Sequence, residues 1–313
     1  MRSDPDVPRP ENSTRDLPAK PLIFVHRAGA WDLTGRARVV GILNLTPDSF
    51  YDGGRYSTRD AAVARVLAMA SEGVDAIDVG AQSTRPGGGA VGPEEEWRRL
   101  KPALASVATA ASRFGLPLSI DTYHAEVARR ALEEGVSIVN DVSGLGVDPL
   151  LAEVAAHAKA GLVLMHSQGA PNALHAPREY DDVAAEVCAF LDERMRLAES
   201  RGVPRERIAL DPGIGFSKRA EQCLGALRGI PRLLPLGRPV AVGLSRKSFL
   251  GALAGDEPAE GRLAAGLGAT VAAFALGARI FRTHDVRETV AALRLAERML
   301  SPEGAALVEG VGA

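Results

Sequence analysis

From residue 39 to about residue 300, the sequence alternates eight times between a short apolar run and a longer segment of helical period. The runs fall at 39–45, 76–80, 118–121, 137–141, 162–165, 208–211, 240–244 and 279–282. The helical segments fall at 58–72, 93–114, 124–134, 149–160, 181–201, 217–234, 261–276 and 285–299. The runs are nearly continuous in apolar residues, as in strands buried on both faces. Eight such units over about 260 residues predict an α/β fold, a single (β/α)8 barrel (the TIM barrel), in preference to an open doubly wound sheet. The stretch "LIFVHRAGAWDL" (22–33) precedes the count and reads as a short N-terminal hairpin turning at "RAGA", a plug for the bottom of the barrel. Nothing linker-like interrupts 39–300, so residues 21–303 read as one domain.

The chain has 313 residues, 46% of them apolar, which suffices for a core of this size. Its net charge of −2 is spread over both signs, with no basic stripe for nucleic acid and no acidic tail. Residues 1–20 are polar, charged and proline-rich without an apolar stretch. They read as a disordered, flexible tail and not as a signal peptide. The longest uncharged run, 263–278, is shorter than the roughly 20 residues of a membrane span, so no membrane association is expected. Cys188 and Cys223 form no disulfide framework. They read as small buried hydrophobes, which suits a reducing, cytoplasmic setting.

A barrel of this kind carries its site at the C-terminal ends of its strands. Here every such end has polar chemistry: Asn44; "QSTR" (82–85); Asp121; Asn140 with Asp141; His166 with Gln168; Asp211; Ser245 to Lys247; and Arg282 with His284. Taken singly, each is also a turn former or a helix cap. Asp121, Asn140 and Asp211 offer acceptors suited to a flat ring with several N–H donors, such as an aminopyrimidine. Arg85, Lys247, Arg282 and His284 are cationic and suit phosphate oxygens. Asn44 offers a hard amide oxygen which, beside a phosphate, suits Mg2+. Ser248 stands at the start of a helix, a place for a carboxylate.

Together, "GILNLTPDSFYDGG", "GAQSTRPGG", "SIDT", "VNDVSG", "LMH", "LDPGIGF", "SRKSFLG" and "RTHDV" resemble the dihydropteroate synthase family of pterin-binding barrels. The resemblance runs in order from about 39 to 290. It implies a transferase of folate biosynthesis that condenses 6-hydroxymethyl-7,8-dihydropterin pyrophosphate with p-aminobenzoate, uses Mg2+ at Asn44, is a target of sulfonamides and works as a homodimer. By carry-over, Asp121, Asn140, Asp211 and Lys247 would hold the pterin. Asn44, Thr84, Arg85, Arg282 and His284 would hold the pyrophosphate. Phe50, Pro86, Phe216, Lys247 and Ser248 would frame the aminobenzoate. Asp121, Asp211, Lys247 and Arg282 would carry the catalysis. The glycine-bearing loops "TPDSFYDGGRY" and "STRPGGGAVG" would close over the site only when pyrophosphate and Mg2+ are bound.

Four positions depart from the family pattern, among them Tyr51, which stands where a small polar residue is common. Gln82 stands where an acid is usual. Tyr123 and His124 stand where a small residue and a Lys or Arg are usual, and both read as structural residues on the outside of the rim. Three other readings remain open from the sequence: a pterin-binding methyltransferase barrel, a non-catalytic paralogue, and a Schiff-base enzyme using Lys247.

Overall fold

The computed structural model describes residues 21–45, 58–82, 91–169, 173, 176–253, 255 and 258–300. The N-terminal tail and both proposed closing loops, apart from Val91 and Gly92, lie outside these residues. Eight parallel strands close into a barrel: β3 (Arg38–Asn44), β4 (Ala76–Gly80), β5 (Leu118–Asp121), β6 (Ile138–Asp141), β7 (Gly161–Met165), β8 (Ile208–Asp211), β9 (Val240–Gly243) and β10 (Ala278–Thr283). β10 pairs with β3, Arg282 lying opposite Val40, which completes the ring. The helices are α1 (Thr58–Glu72), α2 (Pro93–Ser112), α3 (Ala125–Glu133), α4 (Leu150–His157), α5 (Val183–Ser200), α6 (Ala220–Arg228), α7 (Ile230–Leu233), α8 (Ser248–Leu253), α9 (Leu263–Ala275) and α10 (Val286–Leu300). Among the described residues, no helix is long and apolar enough to cross a membrane.

Two expectations need correcting here. The segment 217–234 is not one helix: α6 ends at Arg228, and α7 restarts after Gly229 with Pro231 in its first turn. A proline lacks the N–H that a continuous helix would need there, and its ring would meet the carbonyl of Leu227. Cys223 is buried as expected, but Cys188 is only partly buried, and its thiol donates to the Arg232 carbonyl at 3.3 Å.

Strand alternation decides what enters the barrel. On one parity, Leu43, Ile77, Val79, Ile120, Val139, Leu164, Leu210, Val242 and Phe281 join the core shared with the helices. On the other, Val40, Ala76, Ile138, Val163, Ala209, Ala241 and Ile280 form an interior floor. The hairpin of β1 (Ile23–His26) and β2 (Gly29–Asp32) closes that floor from below, as the sequence suggested. Phe24 lies opposite Trp31 in the hairpin, and both pack into the floor cluster. Arg238 seats it, donating through Nη2 to the Ile23 carbonyl at 2.7 Å and through Nε to the Ile208 carbonyl at 3.0 Å. Gly161 makes room for it, since a Cβ there would come within 2.7 Å of the Phe24 ring.

Candidate active site

Two residues beyond the floor, the same parity points inward again. It presents Asp78 on β4, Asn140 on β6, Asp211 on β8 and Arg282 on β10. On β5 the step from Ser119 leads to Asp121. These are the positions where an apolar barrel turns polar, and they meet. Arg282 donates through Nε to Asp78 and through Nη2 to Asp121 Oδ2 at 2.6 Å. Asn140 Nδ2 donates to Asp78 Oδ2 at 3.2 Å. A cavity of about 30 Å3 separates this layer from the aromatic plug, bounded above by Asp78, Asn140, Asp211 and Arg282. Asp78 was not among the expected residues, though it is the hub of the set. Its signal was a lone carboxylate inside the otherwise apolar run "AIDVG". Arg282, expected on a diphosphate, is held here by two carboxylates within the barrel.

The other expected residues lie around this hub. The Asn44 Oδ1 and Asp121 Oδ2 atoms converge over Gly80, each 3.7 Å from where a Cβ would stand. Asp211 Oδ1 accepts from the Gly213 amide at 2.7 Å, which fixes the carboxylate at the start of the following loop. Lys247 Nζ stands 4.1 Å from the centroid of the Phe216 ring, close enough for a cation–π contact. The lysine stem lies against Gly215, whose φ of +83° and lack of a side chain allow the approach. Ser248 opens α8, next to Lys247. His284 Nδ1 meets Ser245 Oγ at 3.1 Å, and its carbonyl accepts from Arg65 Nη2 at 3.0 Å. Asp141 turns away into its own loop, accepting from Ser143 and from the Leu145 amide. His166 points outward, wholly buried, with its ring edge-on to Phe190. Asp121 is not the cap of α3; the Ala125 amide is taken by Asp148 Oδ2 at 2.9 Å. Phe50, Thr84, Arg85 and Pro86 lie outside the described residues.

Burial sets the electrostatics. It pushes the Asp121 carboxyl up to about 6 against the pull of Arg282, with Asp78 and Asp141 pushing the same way as burial. It pushes Asp211 up to about 6, opposed by the Gly213 amide and by Lys247. Burial brings Lys247 down to about 8, with Asp211 resisting. Arg282 is held above its ordinary value: burial acts against its charge, but Asp78 and Asp121 outweigh it. Three buried carboxylates, Asp78, Asp121 and Asp211, thus share the field of Arg282 and Lys247, with Lys218 acting on Asp211 from behind.

Three of the departures from the family pattern, Gln82, Tyr123 and His124, sit together, while Tyr51 lies outside the described residues; one expectation fails. Tyr123 is not on the outside of the rim: it is buried, and its hydroxyl donates to Gln82 Oε1 at 2.7 Å. Gln82 Nε2 in turn donates at 2.6 Å to Glu96 Oε2, a fully buried carboxylate on α2. His124 Nε2 lies 3.2 Å from the Val91 carbonyl and 3.9 Å from Glu96. Burial raises Glu96 to about 7, with Gln82 pulling it down. An amide at 82 can donate to Glu96 and accept from Tyr123 at once, which an ionised acid cannot do.

A closed parallel barrel, plugged below, carries carboxylate and amide acceptors beside cations at its mouth, the arrangement expected of a pterin-binding barrel. The chain belongs to the pterin binding enzyme family, whose profile matches residues 40–284. Its relatives include the dihydropteroate synthase of Synechocystis, 42% identical over 86% of this chain and 92% of that protein. They also include a folate synthesis bifunctional protein of Arabidopsis thaliana, 41% identical over 87% of this chain. The chain spans 58% of that longer protein's length. Among solved structures, the dihydropteroate synthase of Xanthomonas albilineans with 4-aminobenzoic acid superposes with a TM-score of 0.80 at 43% identity, covering 87% of this chain and 96% of that one.

Proposed function

We infer that this chain is a dihydropteroate synthase: it condenses 6-hydroxymethyl-7,8-dihydropterin diphosphate with p-aminobenzoate, giving 7,8-dihydropteroate and diphosphate. The observation that carries the reading is the Asp78–Arg282–Asp121 hub with Asn140 and Asp211 around it. Acceptors on three strands match the N–H edge of the pterin. Carboxylates fixed beside the ring favour a transition state that develops positive charge on it.

The chemistry follows from the inventory. The C–O bond to the diphosphate breaks first, and the electron pair leaves with the diphosphate. The resulting cation is delocalised into the dihydropterin ring, facing Asp121 and Asp211. The aminobenzoate nitrogen then attacks the methylene, forming the C–N bond, and its proton passes to the released diphosphate. The amine arrives against Phe216 and the Lys247 stem, with its carboxylate toward Ser248. His284 and the cations at the mouth face the departing diphosphate. No protein nucleophile takes part.

A magnesium ion fits the donors present. Asn44 offers one hard oxygen at the mouth, and no group of three or more His, Cys, Asp or Glu among the described residues could cage a metal alone. Mg2+ takes few protein ligands and keeps its waters. When bound, it supplies charge neutralisation to the diphosphate.

The test is to incubate the protein with the pterin diphosphate and Mg2+, with and without p-aminobenzoate, and to follow diphosphate release and dihydropteroate. Amine-dependent product with stoichiometric diphosphate is expected, and chelating the metal should reduce it at least tenfold. No product under these conditions would end the reading. A homodimer and a cytoplasmic setting belong to the same proposal. Leu263 on α9 and Leu295, Met299 and Leu300 on α10 are exposed, and light scattering on the purified chain tests the association.

A further inference from the structure

Behind the mouth, the loop that follows β8 is tied off by a buried lysine that the sequence reading did not single out. Lys218 Nζ meets three acceptors: the Gly213 carbonyl at 3.1 Å, the Phe216 carbonyl at 3.2 Å and His166 Nδ1 at 2.8 Å. Both side chains are buried. Gly213 and Phe216 are the two ends of one turn. Gly213 anchors Asp211, and Phe216 presents its ring to Lys247. The turn is also bonded to the β7 side: Ser217 Oγ donates to the Gln168 carbonyl at 2.8 Å and accepts from the Gln168 amide at 3.0 Å. Ser217 holds a left-handed φ of 52°, a strained conformation that needs such ties.

We propose that Lys218 and His166 are positioning residues for the aminobenzoate half of the site. The lysine ammonium, oriented by the imidazole, ties off the Gly213–Phe216 turn and holds the Phe216 ring against Lys247. The inference rests on the synthase reading for its substrate, but its geometry stands alone. An ammonium has three N–H groups, and three acceptors surround it. The match requires His166 to accept at Nδ1 and carry its proton at Nε2.

The groups that face Lys218 support this. They are His166 at the end of β7, Asp211 on β8, Cys223 on α6, the Tyr180 ring ahead of α5 at 5.9 Å, and Lys247 ahead of α8. Burial brings the lysine down to about 7, so the charged form is present at and below neutral pH. His166 is lowered to about 3, by burial first and then by Lys218, so the ring is neutral and able to accept.

The test compares wild type with Lys218→Met, His166→Leu and His166→Asn, varying each substrate against saturating concentrations of the other. Asn keeps an acceptor at the δ position and Leu does not. Lys218→Met and His166→Leu should raise KM for aminobenzoate by about tenfold, the scale of one lost hydrogen bond. KM for the pterin diphosphate should rise less, because Asp211 keeps its own bond from the Gly213 amide, and His166→Asn should restore most of the loss. Spectra of the 15N-histidine-labelled wild type near pH 6.5 should show His166 protonated at Nε2 and bare at Nδ1. Equal changes in both KM values, no change in either, failure of the Asn rescue, or a proton on Nδ1 would each overturn the proposal. Should the variants not fold, the histidine spectrum of the wild type still decides. Absence of wild-type turnover would instead strike the synthase reading and leave the spectrum to judge the lysine.

Discussion

At the scale of single residues, the site depends on charges that satisfy one another away from water. Asp78 is the sharpest case: it is 1% exposed and holds both Arg282 and Asn140. Removing one partner of a buried ion pair leaves the other uncompensated, at a cost of about 3–5 kcal/mol. Asp78→Ala should therefore lose stability on that scale in urea unfolding. It should also lose activity steeply, because Arg282 is released from its place beside Asp121. Asp78→Asn keeps an acceptor and should lose less stability. Gln82 gives a second case. Replacing it with Glu sets a carboxylate against Glu96 at hydrogen-bonding distance, so the two must share a proton. Gln82→Glu should cost little at pH 5.5, and its melting temperature should fall progressively below wild type as pH rises through about 7. Equal melting-point losses at both ends of that range would count against the pairing. The acceptors at the strand ends were readable because they break apolar runs. Asp78 also breaks an apolar run but lies two residues before its strand end, and Lys218 was passed over because its link to His166 at the end of β7 is not revealed by spacing.

At the scale of elements, the eight strands and most helices were legible because their apolar runs are short and separated by long amphipathic segments. The misread element, 217–234, illustrates the limit. Its apolar content suits a helix, but Gly229 and Pro231 divide it, and residues 217–219 are drawn into the loop around Lys218. The hairpin was legible in position and in its role as a plug. Its seating required the fold, since it depends on Gly161 and Arg238 from the barrel. Phe24 is fully buried in the floor. Phe24→Ala should cost about 3–5 kcal/mol, measured by denaturant unfolding. A loss within experimental error would mean that the hairpin does not close the barrel in solution.

At the scale of the whole molecule, the carboxyls of the mouth stabilise the fold most at a pH below that of greatest activity. Asp121 and Asp211 are raised to about 6 and Glu96 to about 7, each first by burial. A carboxyl with a raised folded pKa binds its proton more tightly when folded. Its stabilising contribution is therefore present near pH 4 and lost as pH rises through 6 to 7. On the surface, arginine hydrogen bonds lower Glu95 and Glu126 to about 2, and these groups lose their contribution only as pH falls toward those values. Together these carboxyls favour stability most between about pH 4 and 5, while His26 and His166, lowered by burial to about 4 and 3, and Lys218, lowered to about 7, contribute stability that is lost as pH falls toward those values. Activity needs the opposite protonation. Asp121 and Asp211 must be ionised to face a pterin cation, and Lys247, lowered to about 8 by burial, must keep its proton beside the aminobenzoate. The pH profile of kcat/KM should be a bell with limbs near 6 and 8, belonging to the coupled set rather than to any one residue. Binding the pterin diphosphate favours the ionised carboxylates and should move the stability maximum upward, toward the activity optimum. Melting temperatures across pH 4–9, with and without that substrate, check both claims. A substrate-induced gain in melting temperature that does not grow as pH rises through 6 would mean that burial does not raise the carboxyls of the mouth.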